Sequence, residues 1–213
     1  MFLTTLLDRH AILGNVSVNS KRQALQMVAD VAARQLGLEA AEVHQALLER
    51  EKLGSTGVGM GVAVPHAALA GLDRMHGIFV RLDAPVDYDS IDDMPVDLIF
   101  ALLAPENAGT EHLRALAKVS RLLRQKDLRE QLRKMENPDA IYAILTDIAD
   151  SNAASSSARP VPRREMRYLI GIGFLKRRTG HGTRHIGTAG RVLVQAVETV
   201  DKAQGIGHQD IGN

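Results

Sequence analysis

Apolar residues recur at helical spacing in two blocks near the start of the chain. Leu25, Val28, Ala29, Ala32 and Leu36 form one stripe that stops at Gly37, and Ser20 with Gln23 supplies a capping box ahead of it. Val43, Ala46 and Leu47 predict a second helix from about Glu39 to Lys52. The pattern then changes to short β-branched runs, "VGMGVAVPH", "GIFVRLDAPVDY" and "PVDLIFALLAP", each ended by Pro, Gly or Asp. These read as strands of a mostly buried sheet. In "GTEHLRALAKVSRLLRQ" the residues Leu113, Leu116, Ala117, Ser120 and Leu123 restore the helical period. A last helix runs from about Pro138 to Ile148, with Asn137 as its N-cap. This alternation predicts an α/β fold, a mixed and largely parallel sheet flanked by helices on both faces.

Charge divides the chain. Through Ala158 there are 16 Lys and Arg against 21 Asp and Glu; from Arg159 onward there are 10 against 4. The run "DSNAASSSARPVPRRE" reads as a linker. Residues 1–150 are therefore expected to form one domain, and residues 151–213 a Ser/Pro/Arg linker with an irregular, basic, Gly-rich, disordered extension. Cysteine is absent, which excludes disulfides and thiolate chemistry. No apolar run approaches the ~18 residues of a membrane span, and the N-terminus lacks the flanks of a signal peptide. A cytoplasmic protein without membrane insertion is the expectation.

The segment "LGSTGVGMGVAVPHAAL" holds the candidate chemistry. Pro65 cannot donate to a ladder and pushes Val64 to extended geometry, so the strand is expected to end there and expose His66. Strand ends of open α/β sheets are where ligands bind. Gly57, Gly59 and Gly61 can take positive φ and offer their N–H groups to an anion. A neutral imidazole is a nucleophile suited to phosphoryl transfer. The same residues also suit a capped surface histidine, and the glycine spacing matches neither a dinucleotide-binding fingerprint nor a P-loop.

From Glu51 to Ala67, an acidic residue, six positions and then "VGMGVAVPHA", the chain resembles the type-2 IIA proteins of the bacterial phosphoenolpyruvate:sugar phosphotransferase system, the mannitol/fructose class. The likeness is greatest to its stand-alone nitrogen-regulatory branch and continues through "DLIFALLAPENAGTEHLRALAKVSRLLR". Ala67 and Ala68 depart from that branch, which commonly has Gly and a basic residue there. The resemblance implies a mannitol-type IIA fold. It implies His66 as the phosphoacceptor, a tele-phosphohistidine loaded by an HPr-like carrier. It implies His112 as the second active-site histidine, holding phosphoryl oxygens or orienting His66, and Arg50 as a guanidinium near the transferred group. Ser55, Thr56, Gly57, Gly59 and Gly61 would form the phosphoryl-binding loop. No cofactor and no metal are implied, although His66, His76 and His112 could in principle meet at zinc.

His10 and His44 fall on polar helix or loop positions, His76 precedes a strand, and Asp87, Asp89, Asp92 and Asp93 read as a solvated loop. The expected function is a nitrogen-regulatory phosphotransferase component acting on protein targets, with potassium-transport and (p)ppGpp-related proteins among the kinds the family implies. A detached fructose- or mannitol-type subunit that passes phosphate to a IIB partner is the alternative. A regulator that binds nucleic acid through "LKRRTGHGTRH" is a second; on the first reading no nucleic acid is bound.

Overall fold

The computed structural model describes residues 2–155. The basic tail, and the linker from residue 156 on, lie outside the described residues.

Period-2 alternation in the two central strands organises the fold. β5 (His76–Val86) and β6 (Val96–Pro105) pair antiparallel at the centre of a six-stranded sheet, with Phe79 opposite Phe100. Ile78, Val80, Ile99, Ala101 and Leu103 face one side; Phe79, Leu98, Phe100 and Leu102 face the other. Each side therefore needs its own helical cover. The first is covered by α2 (Lys21–Leu36) and α3 (Ala40–Lys52), through Ala24, Leu25, Val28, Val43 and Leu47. The second is covered by α1 (Phe2–Leu6), α4 (Gly109–Leu123), α5 (Lys126–Lys134) and α6 (Pro138–Ser155).

The remaining strands are β1 (Leu7–Val16), β2 (Gly57–Gly59), β3 (Val62–Ala63) and β4 (His66–Leu69). The order is β1-β5-β6-β3-β2, with β4 also on β6. Pairings β1–β5, β3–β6 and β4–β6 are parallel, and β2–β3 and β5–β6 antiparallel, so the sheet is mixed as expected.

Local signals act where they were read. The Ser20 hydroxyl accepts from the Gln23 N–H, Gly37 closes α2 in the left-handed region, and the Asn137 side chain accepts from Asp139 and Ala140 N–H. α6 continues to Ser155, so the start of the "DSNAASSS" run is helical beyond Asp150. β1 and α5 were not legible. β1 is interrupted by register shifts that break its alternation, and α5 buries only Leu128, Arg129 and Leu132.

Two further expectations are corrected. The inward face of α4 carries Ala115, Leu116, Val119, Ser120, Leu122 and Leu123 rather than Leu113 and Ala117. This stripe also contains His112, three and four residues ahead of Ala115 and Leu116. His44, expected on a polar face, is buried.

Candidate functional site

Pro65 interrupts a strand without ending it. β6 pairs with Val62 and Ala63 of β3, its Leu102 N–H goes to the Pro65 carbonyl, and it then pairs with His66 to Leu69 of β4. Because the ladder resumes at once, His66 is the first residue of a new strand and only 6% exposed, not the exposed strand end expected from sequence. Opposite Leu102 it faces the α4 side, whereas the next residue, Ala67, joins the core under α2 and α3.

Both ring nitrogens have assigned partners. Nδ1 lies 2.9 Å from the Val64 carbonyl oxygen, which can only accept, so the ring carries its proton on Nδ1. The lone pair is then on Nε2, where Arg50 Nε donates to it at 2.9 Å. Arg50 also donates from Nη1 to the Gly54 carbonyl at 3.0 Å, which ties it to the chain leaving α3. The His112 ring stands edge-on to His66, with centroids 5.5 Å apart and planes at 72°. Its Nε2 is buried and has no protein hydrogen-bond partner.

Burial, followed by the neighbouring Arg50 cation and by His112, pushes the His66 imidazole down to about 3, against a smaller upward pull from the Val64 carbonyl. His112 is also lowered, by burial and by Arg50. Both imidazoles are neutral at pH 7. Because the folded His66 value lies below its ordinary 6.5, the unfolded chain binds more protons between those limits. The stability that neutral His66 contributes is present above pH 6.5 and is lost as pH falls toward 3. A His66→Gln protein is therefore expected to lose less thermal stability than the wild type between pH 7 and about 4. Equal acid slopes would show that His66 is not buried in its neutral form.

Of the residues read from sequence, Arg50, His66 and His112 come together. Ser55, Thr56 and Gly57 stand in the segment leading from Arg50, but their polar groups have internal partners. Ser55 Oγ donates to the Tyr88 carbonyl and accepts the Gly57 N–H, and Thr56 N–H donates to Glu51. Gly59 and Gly61, with φ of 90° and 76°, belong to the β2–β3 turn. A Cβ on Gly59 would lie 2.9 Å from Asp92 Oδ2, and one on Gly61 would meet Arg133 Nη2 first and Asp97 Oδ1 at 2.8 Å. Met60 N–H between them donates to Asp92. The expected anion cradle is thus revised: these glycines admit the chain's own side chains, the Asp92 carboxylate at Gly59 and the Arg133–Asp97 pair at Gly61, and Gly57 does not take positive φ.

The acidic loop is exposed as expected, yet Asp89 pairs with Lys21 and Asp92 caps the turn. His10 is exposed and His76 lies 4.0 Å from Asp73. Among the described residues no three His, Asp or Glu side chains group closely enough to hold a metal ion, and no helix is long and apolar enough to cross a membrane. Sequence reasoning gave no role to Glu51, although the acidic position opens the pattern that ends on His66.

The site is thus a neutral buried imidazole between a guanidinium and a second imidazole, on a mixed sheet covered by helices on both faces. The model for "Phosphoenolpyruvate-dependent sugar phosphotransferase system, EIIA 2" matches residues 5–148, and the chain belongs to this family. A Nitrogen regulatory protein from Bradyrhizobium diazoefficiens is 50% identical over 145 residues, covering 68% of this chain and 95% of that relative. The Nitrogen regulatory protein of Escherichia coli K12 is 40% identical over 146 residues, covering 68% and 90%. The crystal structure of Nitrogen Regulatory Protein IIA-Ntr from Neisseria meningitidis matches with a TM-score of 0.65 at 39% identity, over 68% of this chain and 99% of that one. IIA mannitol from Escherichia coli, 23% identical with a TM-score of 0.55, shares the fold.

Proposed function

We propose that this chain is a nitrogen-regulatory IIA protein that accepts a phosphoryl group on His66 Nε2 from a phosphohistidine of an HPr-like carrier, and acts on protein targets according to that state. The observation that carries the reading is the fixed tautomer. With its proton held by the Val64 carbonyl, His66 presents its lone pair from Nε2 toward Arg50. In the transfer that lone pair forms the new N–P bond while the N–P bond to the carrier breaks, its electrons returning to the carrier's ring. The His66 proton stays on Nδ1, and the Nδ1–H to carbonyl bond strengthens as the ring gains positive charge. Phosphoryl transfer asks the protein mainly for in-line positioning and charge stabilisation, which Arg50 and the polar edge of His112 supply here.

Incubation with phosphoenolpyruvate, enzyme I and an HPr-type carrier tests this. One acid-labile phosphoryl group on Nε2 of His66, read by mass and ³¹P spectroscopy, is the expected result. Phosphate on another residue, or none, would overturn the reading.

His112 is read as a binding group rather than the acceptor, because its buried Nε2 has no partner within the protein and stands beside the His66 ring, where it can bond a phosphoryl oxygen. A His112→Ala protein should still label at His66, about 100- to 1,000-fold more slowly, the cost of losing one donor to developing oxyanion charge. Phosphate retained at His112 in a His66 variant would reverse the two roles.

A further inference from the structure

Glu51 follows Arg50 at the C-terminal end of α3, with nearly all of its side chain buried. Its carboxylate meets three donors. Thr56 N–H donates to Oε1 at 3.0 Å, Thr56 Oγ1 donates to Oε2 at 2.6 Å, and Lys21 Nζ lies 3.0 Å from Oε1. Thr56 is the last residue before β2, and its carbonyl accepts the Val64 N–H at 2.9 Å, one rung beyond the Gly57–Ala63 pair of the hairpin. The Val64 carbonyl in turn accepts the Nδ1–H of His66. An unbroken series of contacts thus runs from the carboxylate to the imidazole.

We propose that Glu51 is a positioning residue for phosphoryl transfer: by anchoring Thr56, and through it Val64, it selects the His66 tautomer that keeps the lone pair on Nε2. The proposal rests on the reading of His66 Nε2 as the acceptor. Adjacent residues of one helix end then address both ring nitrogens, Arg50 at Nε2 directly and Glu51 at Nδ1 through two backbone groups.

The carboxylate accepts from all three donors at once. A glutamine could still take the Thr56 N–H on its oxygen while its amide NH₂ donates to the Thr56 hydroxyl oxygen, so the anchor is removed only by a side chain with no polar atoms at this position. Lys21 is itself held, by Asp89 Oδ2 at 2.8 Å and by the Tyr88 carbonyl at 3.0 Å, so it cannot swing away without breaking other contacts. If the anchor loosens, Val64 loses its fixed carbonyl and part of the population carries the proton on Nε2. That part has no lone pair there, and the transfer rate falls with the competent fraction.

The test is Glu51→Ala in the full chain, which removes both acceptors of Thr56, with two readouts. Long-range ¹⁵N–¹H spectra of the His66 ring are expected to change from a single Nδ1–H form in the wild type to a mixture. The rate at saturating HPr-type carrier is expected to fall in proportion to the fraction that leaves the Nδ1–H form, about 2- to 5-fold for a mixture of comparable forms, with the carrier KM unchanged. Wild-type ring spectra together with a wild-type rate in Glu51→Ala would overturn the proposal. So would a slowed rate with an unchanged tautomer, since that would make Glu51 a merely structural ion pair. Should this variant fail to unfold cooperatively, Thr56→Val, which removes only the Oγ1 donor, carries the same two readouts with a smaller expected loss. Failure of the wild type to label His66 would instead overturn the reading of the acceptor.

Discussion

A His66→Gln protein is expected to take up no phosphoryl group from the phosphoenolpyruvate relay while keeping its fold. Glutamine preserves the two buried contacts, since its amide N–H can donate to the Val64 carbonyl and its oxygen can accept from Arg50 Nε. What it removes is the ring lone pair, so loss of labelling reports the nucleophile and not a collapsed site. Mass measurement after exhaustive incubation, with a thermal melt as the control for folding, decides it. Full labelling of the folded variant would place the acceptor elsewhere, with His112, 5.5 Å away between ring centroids, the first candidate.

An Arg50→Met protein is expected to label about sixfold more slowly than the wild type, as the balance of two opposed effects. In the unphosphorylated protein Arg50 Nε donates to the orbital that must attack phosphorus, so the guanidinium has to leave Nε2 before transfer. Removing it frees the lone pair, a gain of about 1.5–3 kcal/mol at most for a hydrogen bond to a charged donor. Against this stands the loss of a cation beside the phosphoryl oxygens as charge develops, typically about 2.7–4 kcal/mol for a preorganised donor in a site closed to water. The second effect outweighs the first, and the net direction is slower. Arg50→Lys should recover only part of the rate, because an ammonium lacks the planar fork that grips two phosphoryl oxygens. A rate equal to or above that of the wild type in Arg50→Met would show that Arg50 serves only to cap His66.

How far the site was legible depended on how local its cause was. Ser20, Gly37 and Asn137 act within one helix turn, and each was readable from the residues beside it. The central strands were readable because alternation in "GIFVRL" and "DLIFALL" is imposed by two apolar faces. His66 stood out through the residues around it, yet its exposure was misjudged. Whether a chain stops or resumes after a proline depends on the strand beside it, and here β6 offers the Leu102 N–H to Pro65 and then a partner for His66. The glycines were misassigned for a related reason. Their lack of a Cβ was visible, but Asp92 and Asp97, which occupy the space it leaves, are more than 30 residues away in the chain.

The amino-acid sequence by itself determined the starts of α2 and α6, the two-faced central strands and the absence of cysteine chemistry, because capping and periodicity act over a few residues, and its resemblance to a known family put forward His66, Arg50 and His112. The tertiary structure alone decided that His66 is buried and neutral, that its proton sits on Nδ1 and its lone pair on Nε2, and that Glu51 stands behind that choice. Each of these depends on which groups meet across the fold: Arg50 from α3, His112 from α4, and the Thr56–Val64 rung between them. A side chain's ionisation and tautomer are set by the dipoles and charges within a few ångströms of it, and it is folding that brings those together.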